Sequence, residues 1–511
     1  MRPHSCYYAP TMERFYLTTS IMYTNAAPHV GFALELVQAD AVARYRRLVG
    51  DEVFFLTGTD EHGTKIQRSA QSAGIDPQVF VDDIASQVQA LAQKLNISNT
   101  AFVRTTDRAH HWPAVEKLWR ALAAKGDIYK KSYSGEYCVG HEAFLKPSEL
   151  VDGLCPVHKT APERIEEENY FFRITAYKDQ VRALIESDEL RIVPATRKSE
   201  ILNLLEDVED VSFSRPSSQL SWGIPVPDDA SQTMYVWADA LTNYISALGY
   251  GTDESNMAFW PAQAHVIGKD ILRFHAMIWP AMLLAAGLRV PKAIYVHGFI
   301  TVNGEKMSKS LGNVIDPQEL LREFSPDTVR FAMLREIAST EDGDFSSERI
   351  AHRYETDLAN SLGNLVQRVS TLISSKEGGS VAYRADFGSS EPVLKAILAQ
   401  ESYHASFGEF RLHEALGWVW ARVGDLNAYI NDQAPWKQEG EDRAKTLAVS
   451  ARGIHEVALL LSPIIPTASE AILGRLGVAG NARVLGGLSD VLYRTEAGEP
   501  LFPRVVKDKQ I

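Results

Sequence analysis

Apolar and polar positions along the first sixty residues predict a strand, a helix and a second strand. Residues 15–19 form a short run of β-branched and aromatic side chains, which is typical of a buried strand. Apolar residues then recur at helical spacing over 30–48, and a second apolar run follows at 53–57. This strand–helix–strand unit predicts a parallel sheet with a right-handed crossover. Ligands of such sheets bind where the strands end, here at 19–29 and 58–63.

The alternation of strands and helices returns after an interruption between about 127 and 215. Further strands, or strands that lead into helices, are predicted at 234–237, 265–270 and 293–300, and helices at 350–372, 409–431 and 443–461. We therefore predict an α/β fold, a doubly wound, Rossmann-like parallel-sheet domain split by an insertion and followed by an all-α helical bundle. The predicted boundaries are 12–126 and 219–315 for the two halves of the sheet domain, 127–218 for the insertion, 316–356 for a connecting helical segment and 357–511 for the bundle.

Composition limits the classes of protein that remain. A chain of 511 residues is too long for one core, so about two to four domains are expected. The formal charge is −13, so any contact with nucleic acid must come from local basic patches. Apolar runs are too short to cross a bilayer, the N-terminus carries no secretion signal, and three cysteines make no disulfide framework. We therefore expect a cytoplasmic protein.

The stretch 304–313 carries two lysines, Lys306 and Lys309, interleaved with Ser308 and Ser310 directly after the last predicted strand. Two ammonium groups, two hydroxyls and several backbone N–H groups suit a polyphosphate, because lysine is a mobile point charge on a flexible stem. The alternative is a solvated basic turn.

A second anion-binding element lies near the N-terminus, where Pro28 begins the first predicted helix. His29 lies in its first turn, and Gly31 allows a ligand to approach the backbone. Unpaired N–H groups and the helix dipole favour a phosphate there. The alternative is a histidine that caps its own helix. Asp60, at the end of the second strand, is placed to hold an ammonium group, unless it only closes a glycine-bounded turn.

Two Cys-x-x-His pairs lie in the predicted insertion. Cys138 and His141 form the first pair, and Cys155 and His158 form the second. This spacing predicts a zinc knuckle with Cys₂His₂ ligation and a structural Zn²⁺. The alternative is two unrelated pairs.

Together these motifs resemble the class I aminoacyl-tRNA synthetases, whose signatures are named HIGH and KMSKS. The stretches 28–31 and 306–310 carry that resemblance, and those that resemble the methionyl-tRNA synthetase family in particular are 58–63, 235–240, 268–271 and 274–275. The resemblance runs from about residue 15 to residue 477. The two Cys-x-x-His pairs resemble the single-knuckle branch of the family. Two positions depart from the pattern: His141 stands where that branch usually has cysteine, and Phe32 replaces the last histidine of HIGH. We expect activity to survive the second change, because His29 and Gly31 keep the helix terminus.

The resemblance implies a methionine–tRNA ligase that uses ATP with Mg²⁺ to form methionyl-adenylate and then charges tRNA(Met), for initiation and elongation of protein synthesis. It implies His29, Gly31, Lys306 and Lys309 as catalytic residues, with ATP bound by these and by Pro28, Met307, Ser308 and Ser310. It implies that methionine is bound by Ile21, Tyr23, Asp60, Val236, Trp237, Ala240, Tyr244, Phe274 and His275. For aromatics such as Trp237 and Tyr244, seven residues apart, core packing is the alternative.

The predicted bundle has its own candidate surface. Asn364 and Arg368 lie four apart on a helix, and Pro435-Trp436 forms a rigid corner. Single-stranded RNA bases stack on aromatics and hydrogen-bond to Asn or Arg, so the resemblance implies that these four residues bind the anticodon. The alternative is a tryptophan buried in a helical corner. We expect a monomer, since no appended dimerisation domain follows the bundle.

Two other functions compete with this prediction. The first is a nucleotidyl transferase of the same superfamily, or a synthetase for another apolar amino acid. The second is an inactive relative that only binds tRNA, for which Phe32 is the only support in the sequence. Amino-acid-dependent exchange of pyrophosphate into ATP distinguishes all of them.

Overall fold

The architecture was taken from a computed structural model, which describes residues 12–141, 143–145, 149–302, 304–307, 315–478, 485–486, 489–496 and 498–503. Its strands are β1 Arg14–Thr19, β2 Met22–Tyr23, β3 Glu52–Asp60, β4 Ala101–Arg104, β5 Ile128–Cys138, β6 Ala143–Leu145, β7 Glu163–Phe172, β8 Arg191–Val193, β9 Val211–Ser212, β10 Ser214–Pro216, β11 Pro225–Val226, β12 Asp229–Met234, β13 Ala264–Gly268, β14 Ala293–His297, β15 Ile300–Val302, β16 Glu305–Lys306, β17 Gly343–Asp344, β18 Ser380–Tyr383 and β19 Val491–Arg494.

Its α-helices are α1 Val30–Leu48, α2 Thr64–Ala73, α3 Pro77–Lys94, α4 His111–Ala124, α5 Lys178–Glu186, α6 Ala195–Glu206, α7 Val236–Ala240, α8 Asn243–Ser246, α9 Trp279–Ala285, α10 Pro317–Glu323, α11 Pro326–Glu336, α12 Ser347–Arg353, α13 Asn364–Lys376, α14 Ala385–Ser390, α15 Pro392–Leu398, α16 Glu401–Gly408, α17 Leu412–Gln433, α18 Gly440–Leu461 and α19 Pro466–Arg475. The π-helical segments are Phe274–Ile278 and Tyr354–Gly363, and short 3₁₀ turns lie at Ile174–Tyr177, Glu254–Phe259, Lys269–Ile271 and Pro435–Lys437. Within the described ranges, each helix is too short or too polar to span a membrane.

The main sheet is parallel and doubly wound, which confirms the predicted fold class. The strands β8, β14, β13, β1 and β3 lie side by side, and β3 also pairs with β4 and with the short β2. Alternate side chains leave opposite faces of a strand. Leu17 therefore packs in the core that contains α1 and the bundle, whereas its neighbour Tyr16 packs in the core that contains α4 and α9.

The segment of about 127–215, where the alternation of strands and helices is interrupted, contains an antiparallel sheet of β6, β5, β7 and β9. Between β7 and β9, however, the chain returns to the main sheet, where β8 pairs with β14. The span 127–218 predicted as an insertion thus contains one strand of the main sheet. β8 has only three residues, which is too short for its periodicity to be recognised.

The predicted strand at 234–237 is wrong in its second half. β12 ends at Met234 and α7 begins at Val236, so Val236 and Trp237 are helical. The predicted helix at 350–372 is present as α12, a π-helical segment and α13 in direct succession.

A buried arginine fastens the bundle to the main sheet. Arg330 of α11 forms an ion pair of 2.7 Å with Asp40 of α1, and both side chains are fully buried. The same guanidinium donates to the backbone carbonyls of Leu95, Pro463 and Ile464. A buried charge that is paired and hydrogen-bonded on every side holds its neighbours in one geometry. The helix α1 is therefore fixed to the bundle as well as to the sheet.

Candidate active site

A cavity of about 1050 Å³ opens at the carboxyl ends of β1, β3, β13 and β14, where the parallel sheet predicts a ligand site. We call it the central cavity. All nine residues predicted to bind methionine line it, namely Ile21, Tyr23, Asp60, Val236, Trp237, Ala240, Tyr244, Phe274 and His275. Four of the residues predicted to bind ATP also line it, namely Pro28, His29, Gly31 and Met307.

His29 both caps α1 and faces the cavity, so the two interpretations of this residue are compatible. Its Nδ1 accepts from the backbone N–H of Gly31 at 3.1 Å, while its ring stays exposed. A Cβ on residue 31 would lie 2.9 Å from the Cε1 atom of His29, so a larger residue there would displace the ring from this position. Phe32 lines the cavity too, but it is mostly buried against Leu36, Ile84 and neighbouring apolar side chains. The aromatic replacement in the HIGH signature thus serves packing as well.

Two cavity residues were missed by the sequence analysis. The Oε1 atom of Glu35 accepts from the N–H and hydroxyl of Ser20 at 2.7 and 2.6 Å. Its Oε2 atom lies 2.9 Å from Nε2 of His297. Burial alone lowers the pKa of His297, but the hydrogen bond and charge of Glu35 outweigh burial and raise that pKa. The other ring nitrogen lies 2.8 Å from the carbonyl of Gly298, so both nitrogens face acceptors, as in imidazolium.

Asp60 lies at the end of β3 on a turn that is held from several sides. Its backbone carbonyl accepts from the N–H and hydroxyl of Thr24. The adjoining Glu61 is fully buried and accepts from Arg104 Nε at 2.6 Å and Nη2 at 2.9 Å. The indole N–H of Trp222 donates to the Glu61 carbonyl. The carboxylate of Asp60 is thus presented from a fixed backbone.

One wall of the central cavity is aromatic, and we call it the aromatic wall; it contains Trp237, Tyr244, Phe274 and His275. Trp237 stacks on Phe274 with ring centroids 3.8 Å apart. The hydroxyl of Tyr244 lies 2.7 Å from Nε2 of His275, and Nδ1 of that histidine lies 2.9 Å from the Ile271 carbonyl. Burial lowers the pKa of His275 to about 4. The ring is therefore neutral at pH 7, with its proton on Nδ1 and the tyrosine as donor to Nε2.

The stretch 304–313, which we call the lysine loop, begins on a hairpin at the edge of the cavity. β15 pairs with β16, which contains Lys306, and also with β17. Asp344 of β17 accepts from the N–H of Gly304 at 3.1 Å and so supports the turn of the hairpin. Met307 lines the cavity, whereas the predicted ATP-binding residues Ser308, Lys309 and Ser310 lie outside the described residues.

The two Cys-x-x-His pairs come together in the insertion. The ligand atoms of Cys138, His141, Cys155 and His158 all lie within 4.8 Å of one another. The sulfur of Cys155 lies 3.4 Å from Nδ1 of His141 and 3.5 Å from Nδ1 of His158. Around a tetrahedral Zn²⁺, sulfur and nitrogen ligands lie roughly 3.5 Å apart. The four side chains therefore fit a zinc ion, and His141 and His158 also line the central cavity.

In the bundle, Trp436 is 47% exposed, which contradicts the alternative of a buried corner tryptophan. The guanidinium carbon of Arg368 lies 5.5 Å from the centroid of the Trp436 ring, and its Nη2 donates to Asn431 at 2.7 Å. Asn364 is also exposed. Pro435 is buried, so it shapes the corner instead of offering a contact face.

Comparison with known proteins supports one family. The family model described as tRNA synthetases class I (M) matches residues 15–164 and 145–370. A methionine–tRNA ligase of Thermotoga maritima is 40% identical over 96% of this chain and 80% of its own length. One of Brucella suis biovar 1 is 42% identical over 97% of this chain and 98% of its own. A solved structure of Mycobacterium tuberculosis methionyl-tRNA synthetase in complex with methionyl-adenylate superimposes with a TM-score of 0.91 at 40% identity, covering 96% of this chain and all of that one.

Proposed function

The chain belongs to the methionine–tRNA ligases of class I, and from this premise we propose how the residues of its central cavity divide the reaction between them. The enzyme joins methionine to ATP as methionyl-adenylate with release of pyrophosphate, and then passes the methionyl group to tRNA with release of AMP. The observation that supports the assignment is the meeting in one cavity of the Asp60 carboxylate, an aromatic wall and the N-terminus of α1.

Methionine is held at both ends. Asp60 pairs with its ammonium group, and Ile21 and Tyr23 flank that end. The thioether lies against the stacked rings of Trp237 and Phe274, since a polarisable sulfur suits aromatic surfaces. Ala240, Tyr244, Val236 and His275 complete that wall. Because one methylene changes affinity by only about 1–3 kcal/mol, homocysteine is an expected competitor.

The nucleotide lies between two anion-binding elements. His29 and the first backbone N–H groups of α1, with Pro28 and Gly31 beside them, meet the phosphates. The lysine loop, with Lys306, Met307, Ser308, Lys309 and Ser310, would hold the leaving pyrophosphate, and Mg²⁺ that enters with ATP would supply further positive charge to the phosphates. In-line attack of the methionine carboxylate on the α-phosphorus needs positioning and charge stabilisation, and no covalent bond to the enzyme.

The decisive experiment is exchange of pyrophosphate into ATP across a panel of amino acids, followed by charging of tRNA(Met). Exchange that depends on methionine and is at least about 100-fold weaker with leucine, isoleucine and valine supports the proposal. Exchange with another apolar amino acid assigns a different substrate, and binding of tRNA without any exchange assigns the inactive relative. Light scattering and fractionation of cells test the predicted monomer and cytoplasmic location.

Zinc is proposed for the Cys₂His₂ cluster, where it would cross-link the turns of the knuckle. We expect the purified protein to contain about one zinc ion per chain, because four ligands hold a single tetrahedral ion. Cys155→Ser should lower the zinc content to near zero and reduce thermal stability, as measured by atomic absorption and calorimetry. Ser221→Ala, a change outside the cluster, is the control. Full zinc content in Cys155→Ser would contradict the ligand set.

Trp436→Ala should separate the two halves of the reaction. Stacking of a base on an aromatic side chain contributes about 1–3 kcal/mol, so kcat/KM for charging of tRNA should fall about 5- to 150-fold. Methionine-dependent exchange should stay within about twofold, because Trp436 lies on the bundle and not in the central cavity. Leu492→Ala removes an apolar side chain that is also half exposed, on β19, and serves as the control. An equal loss of exchange and charging would contradict an anticodon role.

A further inference from the structure

Behind the central cavity lies a buried chain of four side chains, which we call the His–Asp–His bridge. Nδ1 of His62 lies 2.7 Å from one carboxylate oxygen of Asp239, and Nε2 of His111 lies 2.7 Å from the other. Nδ1 of His111 lies 2.8 Å from the hydroxyl of Ser246. The three titratable side chains are at most 3% exposed. They are not among the residues that line the cavity, so they contact no substrate held there.

Three of the four members of the bridge belong to segments that carry part of the proposed methionine site, and His111 links two of them from α4. His62 follows Asp60 by two residues on the turn after β3. Asp239 lies on α7, between Trp237 and Ala240. Ser246 is the last residue of α8, which carries Tyr244, and His111 is the first residue of α4. The bridge thus connects the turn that presents the ammonium partner to both short helices of the opposite wall.

The hydrogen bonds that Asp239 accepts in the bridge are stronger than those between neutral groups, because the acceptor is charged. A carboxylate that accepts two ring N–H groups in a buried setting gains more from each bond than a neutral acceptor does, and losing one donor leaves a buried charge partly unsatisfied. The helices α7 and α8 have five and four residues, too few to hold their own position, so tertiary bonds must place them.

We infer that the His–Asp–His bridge sets the gap between Asp60 and the aromatic wall, and so determines how well a side chain of methionine length fits. This inference rests on the proposed function. His62, Asp239 and His111 are positioning residues, because they act only through the groups that line the cavity. The half of the cavity proposed to hold the nucleotide, built on α1 and the hairpin of β15 and β16, has no member of the bridge in the described chain.

The test compares variants that break or keep one bond. His62→Ala removes the donor to Asp239, whereas His62→Asn keeps an N–H close to the position of Nδ1. The control is His110→Ala. It removes a 74% exposed histidine that directly precedes His111 in the sequence and pairs with Asp107 at the surface. Exchange of pyrophosphate into ATP gives kcat and KM for methionine and for ATP. The ratio of kcat/KM for methionine over homocysteine reports the fit of the side chain.

His62→Ala should raise KM for methionine about tenfold and lower the methionine-to-homocysteine ratio severalfold, with KM for ATP within about twofold. His62→Asn should recover most of both losses, and His110→Ala should match the unchanged enzyme. If His62→Ala does not fold, Ser246→Ala weakens the far end of the bridge and should shift the same two quantities in the same direction, by about threefold.

Other outcomes overturn the inference. A parallel rise of KM for methionine and ATP would indicate a general structural role, as would a His62→Asn variant no better than His62→Ala. An unchanged methionine-to-homocysteine ratio would show that the bridge does not set the gap. If the unaltered enzyme gave no methionine-dependent exchange, the proposed function would be refuted. That failure is distinguishable from failure of the inference, because it is observed without any variant.

Discussion

Lys309→Ala should slow formation of methionyl-adenylate by about 100- to 1000-fold, while the affinity for methionine changes by less than about twofold. Removing one preorganised group that stabilises charge in a transition state costs about 2.7–4 kcal/mol, and charge develops here on the leaving pyrophosphate. The hairpin of β15 and β16 begins the lysine loop, and Met307 next to β16 lines the same cavity as His29 at the N-terminus of α1. Asp60 and the aromatic wall, which are proposed to bind methionine, belong to other elements.

Single-turnover formation of adenylate gives the rate, and equilibrium dialysis with labelled methionine gives the affinity. Lys198→Ala is the matched control, since it removes a partly exposed lysine that pairs with Asp188 and does not line the cavity. Equal losses in rate and in methionine affinity would show that Lys309 binds the ground state and not the leaving group.

The sheet was predictable from the sequence because its main strands are long enough to carry a pattern. β1 and β3 have six and nine residues, and α1 between them has nineteen. β8 has three residues and enters the sheet from within the insertion, so nothing local marks it. The boundary between β12 and α7 was misplaced because Val236 and Trp237 suit either element, and the wall of the cavity requires them to be helical.

The site was predictable where chemistry depends on residue type at a fixed spacing, as for the Cys-x-x-His pairs and Pro28-His29-x-Gly31. Glu35 and His297 were missed because they meet across 262 positions. A signal was present nonetheless. α1 is buried on nearly all sides, and Glu35, Gln38 and Asp40 are polar residues inside it. Acidic residues in a helix that is buried all round need partners, so each one indicates a functional or structural contact.

Asp60→Asn should raise KM for methionine by about two to three orders of magnitude and leave KM for ATP within about threefold. Asp60 is only 7% exposed and lies on a turn fixed by Thr24, Glu61 and Trp222, so a neutral amide cannot move to recover the lost charge. Breaking a buried charge pair costs about 3–5 kcal/mol. Asparagine keeps the size of the side chain, so the loss reports the ammonium pair and not a cavity.

An analogue without the ammonium group makes this prediction specific. 4-(Methylthio)butanoate has the thioether and carboxylate of methionine, and its inhibition constant should differ by less than about threefold between Asp60→Asn and the unchanged enzyme, because the variant removes a partner that this ligand does not use. Asp82→Asn removes a nearby carboxylate that binds Arg104, and should leave methionine binding intact. If the analogue loses as much affinity as methionine, the substitution has disturbed the cavity as a whole, and the ammonium pair proposed for Asp60 is contradicted.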